Sequence, residues 1–341
     1  MELQLGKQKR MMYARVFDRT EEETCSVDAV VPDALGDIGT IVVAEGTFCL
    51  WNLDFSDKSA QIEGSIAADV VYAEEGGALR SFPVELPVKV RISGETLSPD
   101  VRPWLRCTLT ALDARTVNSR KVRVTARLSL CLHAYRETEL ALTDRIEGDG
   151  GAVFTRTETL RVQIPVSVEE KTFTVSETHR FLSGQPEADR LLCHTETVLL
   201  DDVSAAGSRV ILQGRVCAAV TYLPQGQMCP AVETFETAFS QMLDCPADTS
   251  PCLLHTTVNL TAAYLNVSAA ADGARLELLS VQPEEPVVTV TADGFQIRVT
   301  VTVRTAALQE SDLRQVTGAT AQERACPYAS VPSLTIVRWG G

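Results

Sequence analysis

Strict alternation of apolar and polar residues is the feature that most limits how this sequence can fold. A period of two indicates β-strands with one buried face, because successive side chains of a strand point to opposite sides of a sheet. Four long segments show it, and we therefore predict a mainly β protein of antiparallel sheets, each with one wet face. The predicted core positions are Ile62, Gly64, Ile66, Ala68, Val70, Tyr72, Phe82, Val84, Leu86, Val88, Val90, Ile92, Val122, Val124, Ala126, Leu128, Leu130, Leu132, Phe295, Ile297, Val299, Val301 and Val303.

Two of these segments carry further predictions on their polar faces. Pro83 and Pro87 lie opposite the apolar face of residues 82–92. Proline cannot donate a hydrogen bond to a neighbouring strand, so this segment is predicted to lie at a sheet edge or to contain a bulge. In the segment 295–304 the residues predicted to face water are Gln296, Arg298, Thr300, Thr302 and Arg304.

Helical signals are confined to two short segments. PDALGDIGTIV (residues 32–42) and QPEADRLL (residues 185–192) both have a proline and an acidic residue near their start. This combination is typical of helix N-termini, so a short helix is predicted in each segment.

An internal repeat connects the two halves of the chain. QIEGSIAADVVY (61–72) is echoed by ILQGRVCAAVTY (211–222), with both the glycines and the tyrosines 150 residues apart. A short proline-led segment precedes each copy, and a glycine-containing turn and a second alternating strand follow it. The sequence thus predicts two related antiparallel β-rich units in tandem, sandwich- or barrel-like, each with a short helix.

The predicted boundaries follow the glycine-rich and polar stretches of the sequence. EGDGG, at residues 147–151, is predicted to be a linker between a first unit of residues 1–146 and a second unit of residues 152–310. A second linker is predicted at residues 311–331, and residues 332–341 (PSLTIVRWGG) read as the start of another module.

The order of these segments resembles the SPOCS-domain family of sporulation proteins, in particular its SipL-like members. MELQLGKQKRMMYARVFD, VPDALGDIGTIV and the GxxxxxxxY hairpin follow the first unit of that family. VEEKTFTVSETHRF, QPEADRLLCHTETVLL and SRVILQGRVCAAVTYL follow the second. One departure lies at residues 32–37, where PDALGD stands in place of the family's Pro-Asp-Tyr-Cys-Pro-Asp. The Tyr-Cys-Pro centre of that motif is therefore missing from this chain.

The resemblance implies a non-enzymatic scaffold of the developing spore coat, acting through protein–protein contacts in the mother-cell cytoplasm at the forespore surface. The implied partners are coat morphogenetic proteins, with the coat ATPase contacted by a C-terminal LysM-like module. PSLTIVRWGG is interpreted as the first strand of that module, truncated. Self-association is a further expectation, and weak candidates for protein contacts are Phe82, Lys89 and Arg91 on the edge strand.

Composition restricts the partner classes. The net charge of −14 repels phosphate backbones, so nucleic acid is not expected as a partner. No apolar run approaches the roughly 18 residues of a membrane span, and the N-terminus lacks the apolar core of a signal peptide, so we expect a cytoplasmic protein without a transmembrane segment. The ten cysteines contain no CxxC spacing and are interpreted as reduced, structural thiols.

The sequence predicts no catalytic, cofactor-binding or metal-binding residues. Cys193 and His194 are adjacent, so their side chains should point to opposite faces of a strand. Cys131 and His133 share a face, which we interpret as solvated. A pocket that holds His133 or His255 beside a carboxylate would instead favour an enzyme.

Two further patterns concern the binding of calcium and of sugars. WNLDFSD (residues 51–57) contains Asp54 and Asp57 but lacks the register of a calcium loop, so a polar turn is predicted. The alternative function, a pair of glycan-binding modules for peptidoglycan or cortex, requires clustered exposed aromatic residues. Trp51, Trp104 and Trp339 are the candidate stacking platforms.

Overall fold

The structure, a computed structural model, describes residues 3–148, 152–206, 209–244, 254–257, 266–269, 274–291 and 293–322. The described residues before 149 form the first unit, whose strands are β1 (Leu3–Val30), β2 (Ile38–Ser56), β3 (Ser59–Glu74), β4 (Leu79–Ser93), β5 (Arg102–Asn118) and β6 (Lys121–Gly148). Those from 152 onward form the second unit, whose strands are β7 (Ala152–Arg180), β8 (Ala188–Ala206), β9 (Arg209–Pro224), β10 (Ala231–Asp244), β11 (Leu254–Thr257), β12 (Asn266–Ala269), β13 (Ala274–Thr291) and β14 (Gly294–Gln322). The predicted mainly β fold class is confirmed.

Each unit contains two three-stranded antiparallel sheets. Their strand orders are β1-β6-β5 and β2-β3-β4 in the first unit, and β7-β14-β13 and β8-β9-β10 in the second. The short strands β11 and β12 form an additional antiparallel pair. Within each unit, buried residues of both sheets share one hydrophobic core, so the arrangement is that of a β-sandwich.

The two units share the same irregularities as well as the same strand order. In β2 the register with β3 shifts at Gly39, Val42 and Trp51, and in β8 the register with β9 shifts at Asp189, Leu192 and Asp201. Each position in β8 lies 150 residues after its counterpart in β2. Equivalent β-bulges at the same spacing give both hairpins the same local bend and twist.

The alternation predicted the buried faces correctly. On β3, Ile62, Ile66, Val70 and Tyr72 are completely buried, and the whole apolar face of β4 from Phe82 to Ile92 is buried. β4 is also an edge strand, as its two prolines predict. Hydrophobic burial therefore accounts for the placement of both faces.

Glycine is required at one equivalent position in each hairpin. A Cβ atom on Gly64 would lie 2.3 Å from the carbonyl oxygen of Cys49, and one on Gly214 would lie 2.4 Å from that of Leu199. Both distances are far below van der Waals contact with backbone atoms that cannot move aside. The close approach of the two strands thus explains the paired glycines of the repeat.

The two predicted short helices are wrong. Residues 31–37 form a turn before β2, and the corresponding residues 181–187 form a turn before β8. The guanidinium of Arg120 donates hydrogen bonds to the backbone oxygens of Val31, Pro32 and Leu35, which fixes the first turn. Segments this short cannot repay the cost of helix nucleation, whereas these tertiary hydrogen bonds stabilise a turn.

Two other predictions need correction. Thr302 and Arg304 on β14 were expected to face water, but both are buried because the first unit covers this part of the strand. Residues 311–322 were assigned to a linker, but they continue β14 and pair with β7, and Leu313 and Val316 are buried there. Residues 332–341 and Trp339 lie outside the described residues.

Candidate functional site

The two units meet through a junction between the β2-β3-β4 sheet and β8. Its apolar part consists of Val71 on β3 and of Leu192 and Cys193 on β8, all of them buried. The Ser81 hydroxyl donates a 3.1 Å hydrogen bond to the carbonyl oxygen of Leu191. Leu192 is one of the bulge residues of β8, so the bulge directs an apolar side chain into the contact between the units.

A buried charged cluster lies next to this apolar contact. The Nδ1 atom of His194 is 2.8 Å from Oε1 of Glu196, whose side chain is only 1% exposed. Asp69 of the first unit approaches the same histidine closely enough for its charge to act on it. Burial of an unpaired carboxylate is costly, so a protonated His194 stabilises a contact that brings acidic groups of both units together.

The pKa values of this cluster are coupled through burial and charge. Burial alone lowers the pKa of His194, but the hydrogen bond to Glu196 and the charges of Glu196 and Asp69 outweigh it, so that its pKa is raised above 6.5. Burial also raises the pKa of Asp69; the Glu196 charge adds to this rise and the His194 charge opposes it. Both groups therefore hold their protons more tightly in the folded protein than in a free chain.

Two cavities of about 480 and 410 Å³ flank the cluster. His194 and Asp69 line the larger one, together with Glu45 and Glu85. Glu196 and Arg304 line the smaller one, and the Oε2 atom of Glu196 has no protein hydrogen-bond partner. Arg304 is held by Glu170 at 2.6 Å and by the carbonyl oxygen of Leu105 at 3.3 Å, so it also ties β14 to the first unit.

Cys131 and His133 lie in a second contact and not on a solvated face as predicted. Cys131 is buried with Trp104 and Tyr135, and Val168 of the second unit packs against this cluster. The His133 ring packs on the indole of Trp104, with 4.0 Å between the ring centroids. This part of the polar face of β6 was misassigned because the second unit covers it, and a single strand's pattern does not show that.

The geometry of His133 differs from that of a catalytic Cys-His pair. Its Nε2 atom lies 3.1 Å from Oδ1 of Asp18 and 3.4 Å from the Cys131 sulfur. A nucleophile–base–carboxylate arrangement uses opposite ring nitrogens for the thiol and the carboxylate, whereas here one nitrogen serves both. Burial is the main cause that lowers the pKa of His133, while the charge of Asp18 and its hydrogen bond oppose this shift. His255 lies where no side chains are described.

The predicted protein-contact residues on β4 have different surroundings. Phe82 is buried in the core and packs edge-on against Tyr72, with 6.0 Å between ring centroids, so it is not available to a partner. Lys89 is exposed and pairs with Glu63 at 2.6 Å, and Arg91 donates a 3.2 Å hydrogen bond to Ser59. Lys89 and Arg91 thus remain on the exposed face of an edge strand.

The remaining sequence candidates are the polar turn of residues 51–57, the cysteines and the tryptophans. Residues 57 and 58 form the turn between β2 and β3, and the described residues contain no group of three or more acidic, histidine or cysteine side chains able to hold a metal ion. The seven cysteines in the described ranges are free thiols. Trp104 is buried, whereas Trp51 is exposed at a bulge of β2. In the described part of the chain, no helix has the length and apolar character to cross a membrane.

Sequence reasoning missed the junction residues. The available signal was the spacing of His194 and Glu196, which share one face of β8 within an otherwise ordinary alternating strand. Asp69 on β3 gave no signal of its own. Comparisons with known proteins gave no match: no family model fits the chain, and no curated protein or solved structure was found to be similar.

Proposed function

We propose that this chain is a non-enzymatic scaffold protein of sporulation, recruited to the developing spore coat through protein–protein contacts. Its partners would be coat morphogenetic proteins, with the coat ATPase engaged through a LysM-like module. The proposal rests on the resemblance of both units to the SPOCS-domain family. It places the protein in the mother-cell cytoplasm at the forespore surface.

The observation that supports a scaffold role best is the buried junction. Apolar side chains, a histidine–carboxylate cluster and the Arg304 contacts all connect the units. Two units joined in this way present their surfaces at a fixed separation and orientation. A scaffold that arranges other proteins needs such a fixed geometry, because flexible linkage would not set the spacing between bound partners.

The test is the location of a fluorescent fusion of the complete reading frame in sporulating cells. A ring around the forespore is expected, and uniform fluorescence in the mother cell would contradict the proposal. A Lys89→Ala/Arg91→Ala double variant examines the weak candidates on β4: a diffuse signal from the folded variant would assign recruitment to this edge. Retention of the purified protein on peptidoglycan, together with loss of the ring, would favour the glycan-binding alternative.

A further inference from the structure

β4 and β10 occupy equivalent edges of the two units, and they differ in what they expose. Each is the outer strand of its sheet. Val88 of β4 pairs with Gly64, and Phe239 of β10 pairs with the equivalent Gly214, so residues of β10 lie 151 positions after their counterparts in β4. The two edges can therefore be compared residue by residue.

The β4 edge carries several features that prevent another strand from pairing with it. Pro83 and Pro87 keep an unbroken register with β3 although neither has a backbone N–H. Their backbone positions must therefore point away from β3, toward the open edge, where a proline denies a hydrogen bond to an incoming strand. Lys89 and Arg91 lie on the same exposed face and add positive charge to it. Prolines and basic side chains are common means of blocking an edge strand.

The β10 edge lacks these features. Thr234 and Ala238 stand where β4 has its two prolines, and Ser240 and Met242 stand where it has Lys89 and Arg91. Of the exposed residues of β10 from Thr234 to Met242, Glu236 alone is charged. β10 pairs with β9 from Ala231 to Asp244 without a bulge. A straight, nearly uncharged edge with its N–H groups intact is suited to strand addition.

The direction of the backbone groups that face away from β9 agrees with this comparison. The side chain of Lys171, from β7, donates a hydrogen bond to the carbonyl oxygen of Met242. That carbonyl oxygen consequently points out of the β9 ladder, as expected for the residue that corresponds to Arg91 of β4. The alternate residues Thr234, Glu236, Ala238 and Ser240 then direct their N–H and C=O groups to the same open side.

We propose that β10 pairs with β10 of a second copy of this chain, in an antiparallel arrangement around a two-fold axis. In an isologous contact, residue i of one copy faces residue j of the other and the reverse contact is also made, so that only a residue on the axis faces its own counterpart. A register centred on Ala238 places Glu236 opposite Ser240 and Thr234 opposite Met242, with a small residue on the axis. No like charges face each other, and this matters because directly opposed like charges destabilise a strand pair.

A second copy fits this edge better than a strongly basic partner does. The edge is nearly neutral, whereas the chain as a whole carries a net charge of −14. Repulsion between two copies then comes from the acidic surface outside the contact and is screened by salt. Self-association should therefore strengthen as ionic strength rises, while binding of a basic strand would weaken. Self-pairing lies beyond the proposed scaffold role, and the localisation experiment does not depend on it.

The test is the molar mass of the full chain by light scattering and sedimentation, over a range of protein and salt concentrations. A concentration-dependent dimer that is favoured by salt is expected. Ala238→Pro introduces the equivalent of Pro87 of β4 and should weaken the dimer at least about tenfold, because it removes both inter-strand hydrogen bonds at the axis, one donated by each copy. A wild-type chain that remains monomeric at all concentrations would overturn the proposal.

Two variants at one position test the register, and they keep the test decisive if Ala238→Pro does not fold. Ser240→Glu places a carboxylate opposite Glu236 of the other copy and should weaken the dimer. Ser240→Lys is the matched control and should leave the dimer intact or tighten it, because it forms an opposite-charge pair. Equal dimerisation of both variants, with wild-type thermal unfolding, would show that β10 is not the contact.

Discussion

Strands β2 and β8 follow the same bulged path, but equivalent side chains on them have different surroundings. Val42 and Leu192 are both the extra residue of a bulge, 150 positions apart; Val42 is 57% exposed and Leu192 is 1% exposed. His194, in the charged cluster, corresponds to Ala44 on β2. The shared strand register thus sets the backbone of each unit, and a few side chains at shared positions determine how one unit packs against the other.

The largest effect is expected from charges placed in the two equivalent cores. Val70 and Val220 are both fully buried, and an unpaired buried carboxylate costs several kcal/mol. Val220→Asp should unfold the second unit, and Val70→Asp should unfold the first. Urea denaturation followed by circular dichroism measures this. If the junction couples the units, either variant also lowers the midpoint of the other unit; a variant that unfolds like the wild type would refute the assigned core.

A smaller effect should separate the two bulge residues. Leu192→Ala removes a buried side chain and should lower the free energy of unfolding by about 2–5 kcal/mol. Val42→Ala, its counterpart on β2, should change it by less than about 0.5 kcal/mol because Val42 is mostly exposed. Both values are obtained from the midpoints of urea denaturation, provided that the free energy of unfolding depends equally on urea concentration in each variant. Equal losses in the two variants would contradict the difference in burial.

The paired glycines should respond alike. Gly64→Ala and Gly214→Ala each push a methyl group against a backbone oxygen, so each should cost about 1–3 kcal/mol. Thermal unfolding of the two variants measures this. A tolerated substitution in one hairpin and a destabilising one in the other would show that the close approach of the strands is not equivalent in the two units.

The smallest effect concerns pH and distinguishes His194, in the charged cluster, from Ala44, its uncharged counterpart on β2. The pKa values of His194 and Asp69 are both raised by folding, so these two groups bind more protons in the folded chain than in the unfolded one. The contribution of His194 is complete below its unfolded pKa near 6.5 and is lost as pH rises through the higher folded value. Stability should therefore fall with rising pH above 6.5, and His194→Gln should reduce this fall. Ala44→Gln should leave it unchanged.

Much of the fold was predictable because the alternation of apolar and polar residues in each strand determines which of its faces is buried within one sandwich. The alternation on β4 indicated its buried face, its two prolines indicated an edge position, and the repeat of Gly64 and Gly214 marked the equivalent hairpins. The two helices were wrong because proline with a nearby acidic residue also suits a turn. Arg120, which fixes the first turn, is distant in sequence.

The junction was not predictable in the same way. Thr302 and Arg304 have the pattern of a wet face, and Cys131 with His133 has a similar one. Their burial depends on where the second unit lies against the first, which no single strand determines. Only after the two units are packed together does Asp69 become a neighbour of His194 and Glu196.

The pairing of the first strand of each unit with its last has a consequence for the time course of folding. Leu3 pairs with Gly148, and Ala152 with Gln322, so each of these contacts joins residues far apart in sequence. Such topologies fold slowly, because long loops must close, at a cost in entropy, before the pairing of their strands contributes any stability. The hairpins β2-β3-β4 and β8-β9-β10 involve nearby residues and should form earlier. During synthesis we expect the first unit to close once β6 has left the ribosome, and it can then serve as the surface on which β8 and β14 assemble.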